Sequence, residues 1–184
     1  MSTNINLTLA SGFYYFNAIK NRDVATTVFD GNAGNANYEK MTTISNDTLF
    51  SYHYVSDCYL SDNFILLNFS GLPRPLTLKG QYLKNFGVKA ASNGYVAGLS
   101  YGELTDKGQW RFYYQYQQIQ QDAVFSPFVQ DDFLRQTNFK SHVFGIAYAF
   151  HRRISLHTWG LVDHAELGSG EKNTRLRLDL NVKI

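Results

Sequence analysis

The sequence predicts an all-β chain, an antiparallel up-and-down transmembrane β-barrel with about eight strands in its 184 residues. Three observations carry this. The terminal stretch Asn173–Ile184 alternates without a break, setting Leu176, Leu178, Leu180, Val182 and Ile184 against Arg175, Arg177, Asp179, Asn181 and Lys183. Alternation of period two puts the two sets on opposite faces of a strand. Aromatic content is high, 16% with 13 Tyr and 14 Phe, while charged residues make up 17%, below the quarter or so usual for soluble domains. Mean hydropathy is nevertheless negative, at -0.29, a mixture that alternating lipid-facing and water-facing residues produce. Third, the connections between strands alternate long and short. On composition alone, a soluble β domain with an aromatic core competes with this reading.

Taken in order, Asn4–Asn17 is the first strand, in which Ile5, Leu7 and Leu9 alternate with Asn6, Thr8 and Ala10 ahead of the aromatic block Phe13–Phe16. From Asn21 to Thr48 the chain is rich in Asn, Asp, Gly and Thr, residues that favour turns and bury little. A long external loop of low order is expected over about residues 21–61. Leu49–Tyr59 carries strand formers without clean alternation and fits either this loop or the next strand. Asn63–Ser70 is a short strand that ends at the Gly71–Pro75 turn, and Leu76–Leu83 follows it. A loop over Gly87–Asn93 leads to the strand Tyr95–Gly102, and Gly94–Gly102, with its small inward residues, is the expected place for a loop to fold in. Thr105–Gly108 is a hairpin turn, and Gln109–Gln120 is the next strand. After a longer loop over Gln121–Asn138 come Ser141–Phe150, a minimal turn at His151–Arg152, Ile154–Asp163, a Gly-rich loop over Leu167–Asn173, and the terminal strand. Pro73, Pro75 and Pro127 all fall in turns or loops, as hydrogen-bonded strands require. The chain reads as one domain over residues 1–184.

Every short turn falls at one end of the predicted sheet and every long loop at the other, the organisation of outer-membrane barrels. A soluble barrel would bury the non-aromatic faces, but these carry Lys79, Arg111, Gln115, Gln117, Arg175, Arg177, Asp179 and Lys183. That is too much charge for a core without dedicated partners, so these eight residues are the expected pore lining. Tyr82, Tyr95, Tyr101, Trp110, Tyr116, Tyr148 and Phe150 lie towards strand ends, where interfacial girdles form. The competing explanation, that aromatics are good strand residues, covers their number but not their placement.

The stretch Leu66–Ile184, with LNFSGLPRPLTLKGQYLKN, GQWRFYYQYQQIQQDAVFSPFVQDDF, KSHVFGIAYAF and the closing LRLDLNVKI, resembles the C-terminal part of the bacterial "putative porin" family. The resemblance implies an outer-membrane β-barrel for passive diffusion of small hydrophilic solutes, in a family whose members are usually about twice this length. This chain would then be a C-terminal half or a short relative closed on its own. The implied partners are outer-membrane lipid and lipopolysaccharide, the barrel assembly machinery, the solutes themselves, and a homo-oligomer or further barrel segments. Outer-membrane barrels usually end in an aromatic residue read by that machinery, whereas this chain ends in Ile184.

Other chemistry is sparse. A net charge of +2 is too small to imply nucleic acid. Cys58 is the single cysteine, so there is no internal disulfide and no zinc motif. No apolar run approaches a membrane helix, and the N-terminus lacks a secretory signal, so an exported form would be mature or truncated. His53, His142, His151, His157 and His164 have no metal-binding spacing; no cofactor is expected. Ser155 with His157, and Asp163 with His164, are the only pairs suggesting a hydrolase, but no oxyanion element accompanies them. No enzymatic activity is expected. The basic inward residues outnumber Asp179, which favours a weakly anion-preferring lumen, unless acidic residues elsewhere pair with them. The acidic loop residues Asp122, Asp131 and Asp132 are expected as external solvated charge or as cation bridges to lipopolysaccharide. Because eight strands alone are filled by their own side chains, a small closed barrel acting as an anchor or adhesion protein is the alternative. A soluble ligand-binding barrel is the second.

Overall fold

A strand with one apolar face gains from only one register, the one that aligns this face with its neighbour's, and the alternating runs of this chain pair accordingly. The computed structural model describes residues 4–26, 35–44, 47–126, 137–168, 170 and 172–183. Its elements are β1 (Asn4–Phe16), a 3-10 turn (Val24–Thr26), β2 (Asn37–Ile44), β3 (Asp47–Tyr54), β4 (Cys58–Ser70), β5 (Leu76–Asn85), β6 (Asn93–Gly102), β7 (Trp110–Ile119), β8 (Phe139–His151), β9 (Ile154–Ala165) and β10 (Lys172–Val182). Eight of these form one antiparallel sheet in the order β1-β4-β5-β6-β7-β8-β9-β10, and β2 pairs with β3 in a separate hairpin. β1 and β10 are the sheet's two edges and are not hydrogen-bonded to each other, so the described sheet is open.

The long first connection differs from its sequence-based expectation. It spans residues 17–57 rather than about 21–61, and it contains the β2–β3 hairpin, paired from Asn37↔Tyr54 to Ile44↔Asp47. This hairpin escapes a periodicity argument because its described side chains are exposed on both faces over most of its length; backbone pairing, not a buried stripe, defines it. Cys58 begins β4, which then matches β1 residue for residue from Phe16↔Cys58 to Asn4↔Ser70. Asp131, Asp132, Pro127 and Ile184 lie outside the described residues.

The connections 71–75, 103–109 and 152–153 lie at one end of the sheet, here the turn end; 17–57, 86–92, 120–138 and 166–171 lie at the other, the loop end, but the expected contrast of length is carried by 17–57 and 120–138, since 86–92 and 166–171 are no longer than the 103–109 turn. The 103–109 turn is held by Gln109, whose Oε1 accepts bonds from the Thr105 amide (2.7 Å), the Thr105 hydroxyl (2.8 Å) and the Asp106 amide (2.8 Å). Gly102 enters it at φ +95, and a Cβ there would sit 2.2 Å from the Trp110 carbonyl oxygen; only glycine fits. The buried core lies on one face of the sheet, towards the loop end, where Tyr54, Leu60, Leu83, Ile119, Val124, Phe139 and Leu161 cluster. That face is called inner below, and its opposite outer.

Candidate functional site

The outer face is apolar and open. Leu176, Leu178 and Leu180 on β10 are 74%, 66% and 66% exposed, and Ile5, Leu7, Leu9, Leu99, Phe112, Phe144 and Ile146 are exposed on the same face. Patches of this kind on a folded protein mark a partner or a membrane. All seven sequence-predicted girdle residues are found near its two margins. Tyr101 and Trp110 meet edge-on at 5.8 Å and Tyr148 and Phe150 at 4.9 Å near the turn end, while Tyr82 and Tyr95 meet at 5.3 Å nearer the loop end. Tyr116 packs 5.4 Å from His142, and Tyr15 stacks on Tyr59 at 4.6 Å.

The loop-end margin is inclined. Its last apolar or aromatic outward residues are Tyr15, Tyr59, Tyr82, Tyr95, Tyr116, Phe144, Val162 and Leu176, beyond which Lys84, Asn93, Gln118, Lys140, His164 and Lys172 follow. Followed through the register, this margin drops by about eight residues over seven strand-to-strand steps. At ~3.3 Å per residue and ~4.8 Å per step, the strands cross it at roughly 40° from its perpendicular. On β1 and β4 the band is interrupted by Ser11, Asn63 and Ser61, which satisfy one another: the Ser11 hydroxyl donates to Asn63 Oδ1 (2.9 Å) and Asn63 Nδ2 donates to Ser61 Oγ (2.9 Å).

The inner face carries every residue expected to line a pore. Lys79 lies opposite Gly98 and Gly98 opposite Gln115; Arg111 shares a row with Ala147, His157 and Asp179; Gln117, Arg175 and Arg177 have the same orientation. Lys183 continues the alternation just past β10, where its amide donates to the Arg153 carbonyl (2.8 Å). These residues are not equivalent. Arg177 Nε donates to Asp179 Oδ1 at 2.7 Å, and His157 sits with Nδ1 3.7 Å from Asp179 Oδ2 and Nε2 3.2 Å from the Tyr113 hydroxyl. Tyr113 reaches His157 because it lies flat over Gly145, where a Cβ would stand 2.6 Å from its ring.

A family model described as a "putative porin" matches residues 75–184. The chain belongs to that family. The match covers β5 to β10 and the residues just beyond, a span that holds all eight of the expected inward residues and all seven girdle residues. No curated protein matches the chain.

In this member of the porin family the inner face is not polar throughout, as the sequence-based assignment of a wet interior implies. Its turn-end half carries Lys79, Arg111, Gln115 and Asp179, but towards the loop end the same rows carry Leu60, Leu83, Val96, Ile119, Phe139 and Leu161, and Gln117 is buried among them. Ile19, Tyr54, Val124 and Phe125 from the loops close over this apolar half. On β6, Gly94 makes room for its strand neighbours: a Cβ there would meet Leu83 and Ile119 at 3.0 to 3.1 Å. Below Val124 and Phe125 the inner face keeps a cavity of about 580 Å³ bordered by Tyr14, Leu60, Lys79, Gln81, Gln115 and Gln117.

Asparagine and aspartate side chains tie the loops together, a role that the sequence reading missed because turn-forming residues and loop-pinning residues are the same residue types. Asn35 Nδ2 donates to the carbonyls of Gln121 (2.9 Å) and Val124 (2.7 Å), and its Oδ1 accepts from the Ser126 amide (2.8 Å). Asn85 accepts from the amides of Tyr59 and Gly87 and donates to the Asp122 carbonyl at 2.8 Å. Asp122, expected as external charge or a cation bridge, is instead buried and accepts from the Ala36 amide at 2.9 Å. Asn85→Ala should leave two amides and a carbonyl without partners and cost about 2–3 kcal/mol, measurable by urea denaturation in detergent.

Two loop carboxylates titrate in opposite senses. Backbone amides of Lys20 and Ile19 hold Asp57 below 3.8, while burial raises Asp122 above it. Asp57 therefore contributes stability that is present above its unfolded pKa and lost as pH falls through its folded one. For Asp122, stability is greatest below 3.8 and declines as pH rises to its folded value. Asp122→Asn keeps the acceptor for Ala36 and should remove that decline, stabilising the protein at neutral pH; a series of denaturation midpoints against pH checks it.

The remaining candidates are placed as follows among the described residues. Asp163 is on the inner face and bonded by Asn173 Nδ2 (2.9 Å), whereas His164 is on the outer face opposite Lys140 and Lys172. His157 is engaged by Tyr113 and Asp179, as above. His53 bonds Ser51 and the Asn21 carbonyl within the first connection.

Proposed function

We propose that this chain forms part of the wall of an outer-membrane barrel through which small hydrophilic solutes diffuse. The observation that carries this is the inclined, aromatic-edged apolar band on the outer face, set against charged and amide side chains on the inner one. Strands of transmembrane barrels tilt by about 35–45°, so a level bilayer must cut successive strands at stepped positions, as this margin does. A flat soluble sheet has no need of that offset.

The open edges bear on barrel size. Unpaired strand edges in hydrocarbon cost several kcal/mol per group, so in a bilayer β1 and β10 must be paired. β1 runs towards the loop end and β10 away from it, so each accepts a further antiparallel strand, supplied by other segments of the natural protein or by a second copy. A wall of about sixteen strands encloses water, whereas eight do not. Lipid and lipopolysaccharide would cover the outer face, and the assembly machinery would insert it.

The test is conductance of the natural protein, extracted from outer membranes, in a planar bilayer. Stepwise, ohmic openings with a modest preference for anions are expected, from a protein of about twice 21.0 kDa or its dimer. A protein that folds and inserts as a 21.0 kDa monomer without conductance contradicts the diffusion reading and leaves a small closed barrel.

A further inference from the structure

Ionic side chains on the inner face divide into those held by a hydrogen bond or ion pair and those with neither among the described residues. Arg177 is spent on Asp179 at 2.7 Å, and Asp62, the acidic residue bordering the larger cavity, accepts from Gln81 Nε2 at 2.8 Å. Lys79 and Arg111, by contrast, have no ion pair or hydrogen bond among the described residues. They stand on adjacent flanks of a second hollow, of about 240 Å³, with Thr77, Ser100 and Gln115. Its volume matches roughly eight waters at ~30 Å³ each, enough for a small anion and part of its hydration shell.

The geometry points to a binding site for a soluble phosphate oxyanion in this hollow. A lysine and an arginine without an ion pair supply the charge, and no carboxylate lines this hollow; the Ser100 hydroxyl and the Gln115 amide supply neutral donors; and the Thr77 hydroxyl, which otherwise donates to Asn68 Oδ1 at 2.8 Å, lies beside them. Arginine offers planar paired donors and lysine a mobile point charge, the usual complement for phosphate oxygens. Place in the fold favours a solute over a lipid headgroup, because the charged side chains open on the inner face. The site is also on a route: Lys79 and Gln115 border both this hollow and the 580 Å³ cavity nearer the loops. An anion that passes Val124 and Phe125 therefore meets Lys79 first and Arg111 next, which is how stepped sites pass an ion along a pore. Gly98 makes room for this, since a Cβ there would stand 2.8 Å from Lys79 Cε. The inference rests on the reading of the inner face as a wet lumen.

It is tested on the full-length protein in a maltoside detergent free of phospholipid, titrated calorimetrically with inorganic phosphate. Saturable binding is expected, weakened about tenfold by Lys79→Gln and by Arg111→Gln and unchanged by Lys107→Gln in the turn, with circular dichroism confirming that each variant keeps its sheet. Absence of phosphate binding, or binding that survives the double Lys79→Gln, Arg111→Gln variant, overturns the site. Binding of dispersed short-chain phosphatidic acid but not of inorganic phosphate overturns its assignment to a solute. Conductance of the same preparation is read separately: channels without phosphate binding sink the site and leave the porin reading, whereas phosphate binding without channels does the reverse.

Discussion

Ile146→Arg should destabilise the protein by about 2–4 kcal/mol when it is folded in lipid bilayers, the cost of an arginine on the lipid face near the midplane of a barrel. Ile146 is 54% exposed on the outer face of β8, a strand away from the sheet's edges, and lies opposite Phe112 and Thr158. In water its replacement by a charged residue would be worth no more than about 0.5 kcal/mol, since exposed positions away from special features tolerate change. The same substitution thus separates the two environments by several kcal/mol. The matched control is Gln115→Arg on the inner face, expected to be close to neutral in stability. Urea-induced unfolding from vesicles, followed by tryptophan fluorescence, measures both. Equal, small effects at the two positions would mean that the outer face meets water.

Phe139→Ala should cost about 3–5 kcal/mol, the range for emptying an aromatic site in a packed core. Phe139 opens β8 on the inner face, is 1% exposed, and faces Ile119 and Ala165. Val124, Leu83 and Leu161 belong to the same cluster. If the inner face were wet over its full length, as the alternation taken alone suggests, truncating this side chain would cost little. The structure predicts instead that it loosens the loop closure, so hydrogen exchange should accelerate at the Ala36 and Ser126 amides, which Asp122 and Asn35 hold. Gln115→Ala, only a few rows away towards the turn end, should change stability by about 0.5 kcal/mol or less.

Strands that are half-buried declare themselves in sequence. The alternation of Leu176, Leu178 and Leu180 with Arg175, Arg177 and Asp179 places both faces of β10 correctly, and the same reasoning puts Lys79, Arg111 and Gln115 together on the inner face. The turn chemistry around Gly102 and Thr105–Gly108 is equally legible, because positive φ and tight hydrogen bonding leave few residue choices. Two features escaped. The β2–β3 hairpin buries almost nothing along its length, so its sequence carries no periodicity to read. The apolar half of the inner face hides because Leu60, Leu83, Val96 and Ile119 sit on the polar side of their strands' alternation, and only tertiary packing against Tyr54, Val124 and Phe125 accounts for them. Asn35 and Asp122 in loops and Asn85 at the end of β5 have the composition of turns and the positions of structural pins; the distinction is set chiefly by partners 26 to 91 residues distant, which no local pattern encodes.

The proposed barrel wall requires an outer face in lipid and a turn-end inner half in water. Its most direct test is spin-label accessibility along β7 in bilayers, with single cysteines introduced from Arg111 to Gln115 in a Cys58→Ala background. Labels at Phe112 and Tyr114 should collide with dissolved oxygen and not with a water-soluble nickel chelate, and labels at Arg111, Tyr113 and Gln115 should show the reverse. Equal access to the nickel chelate at all five positions would contradict it.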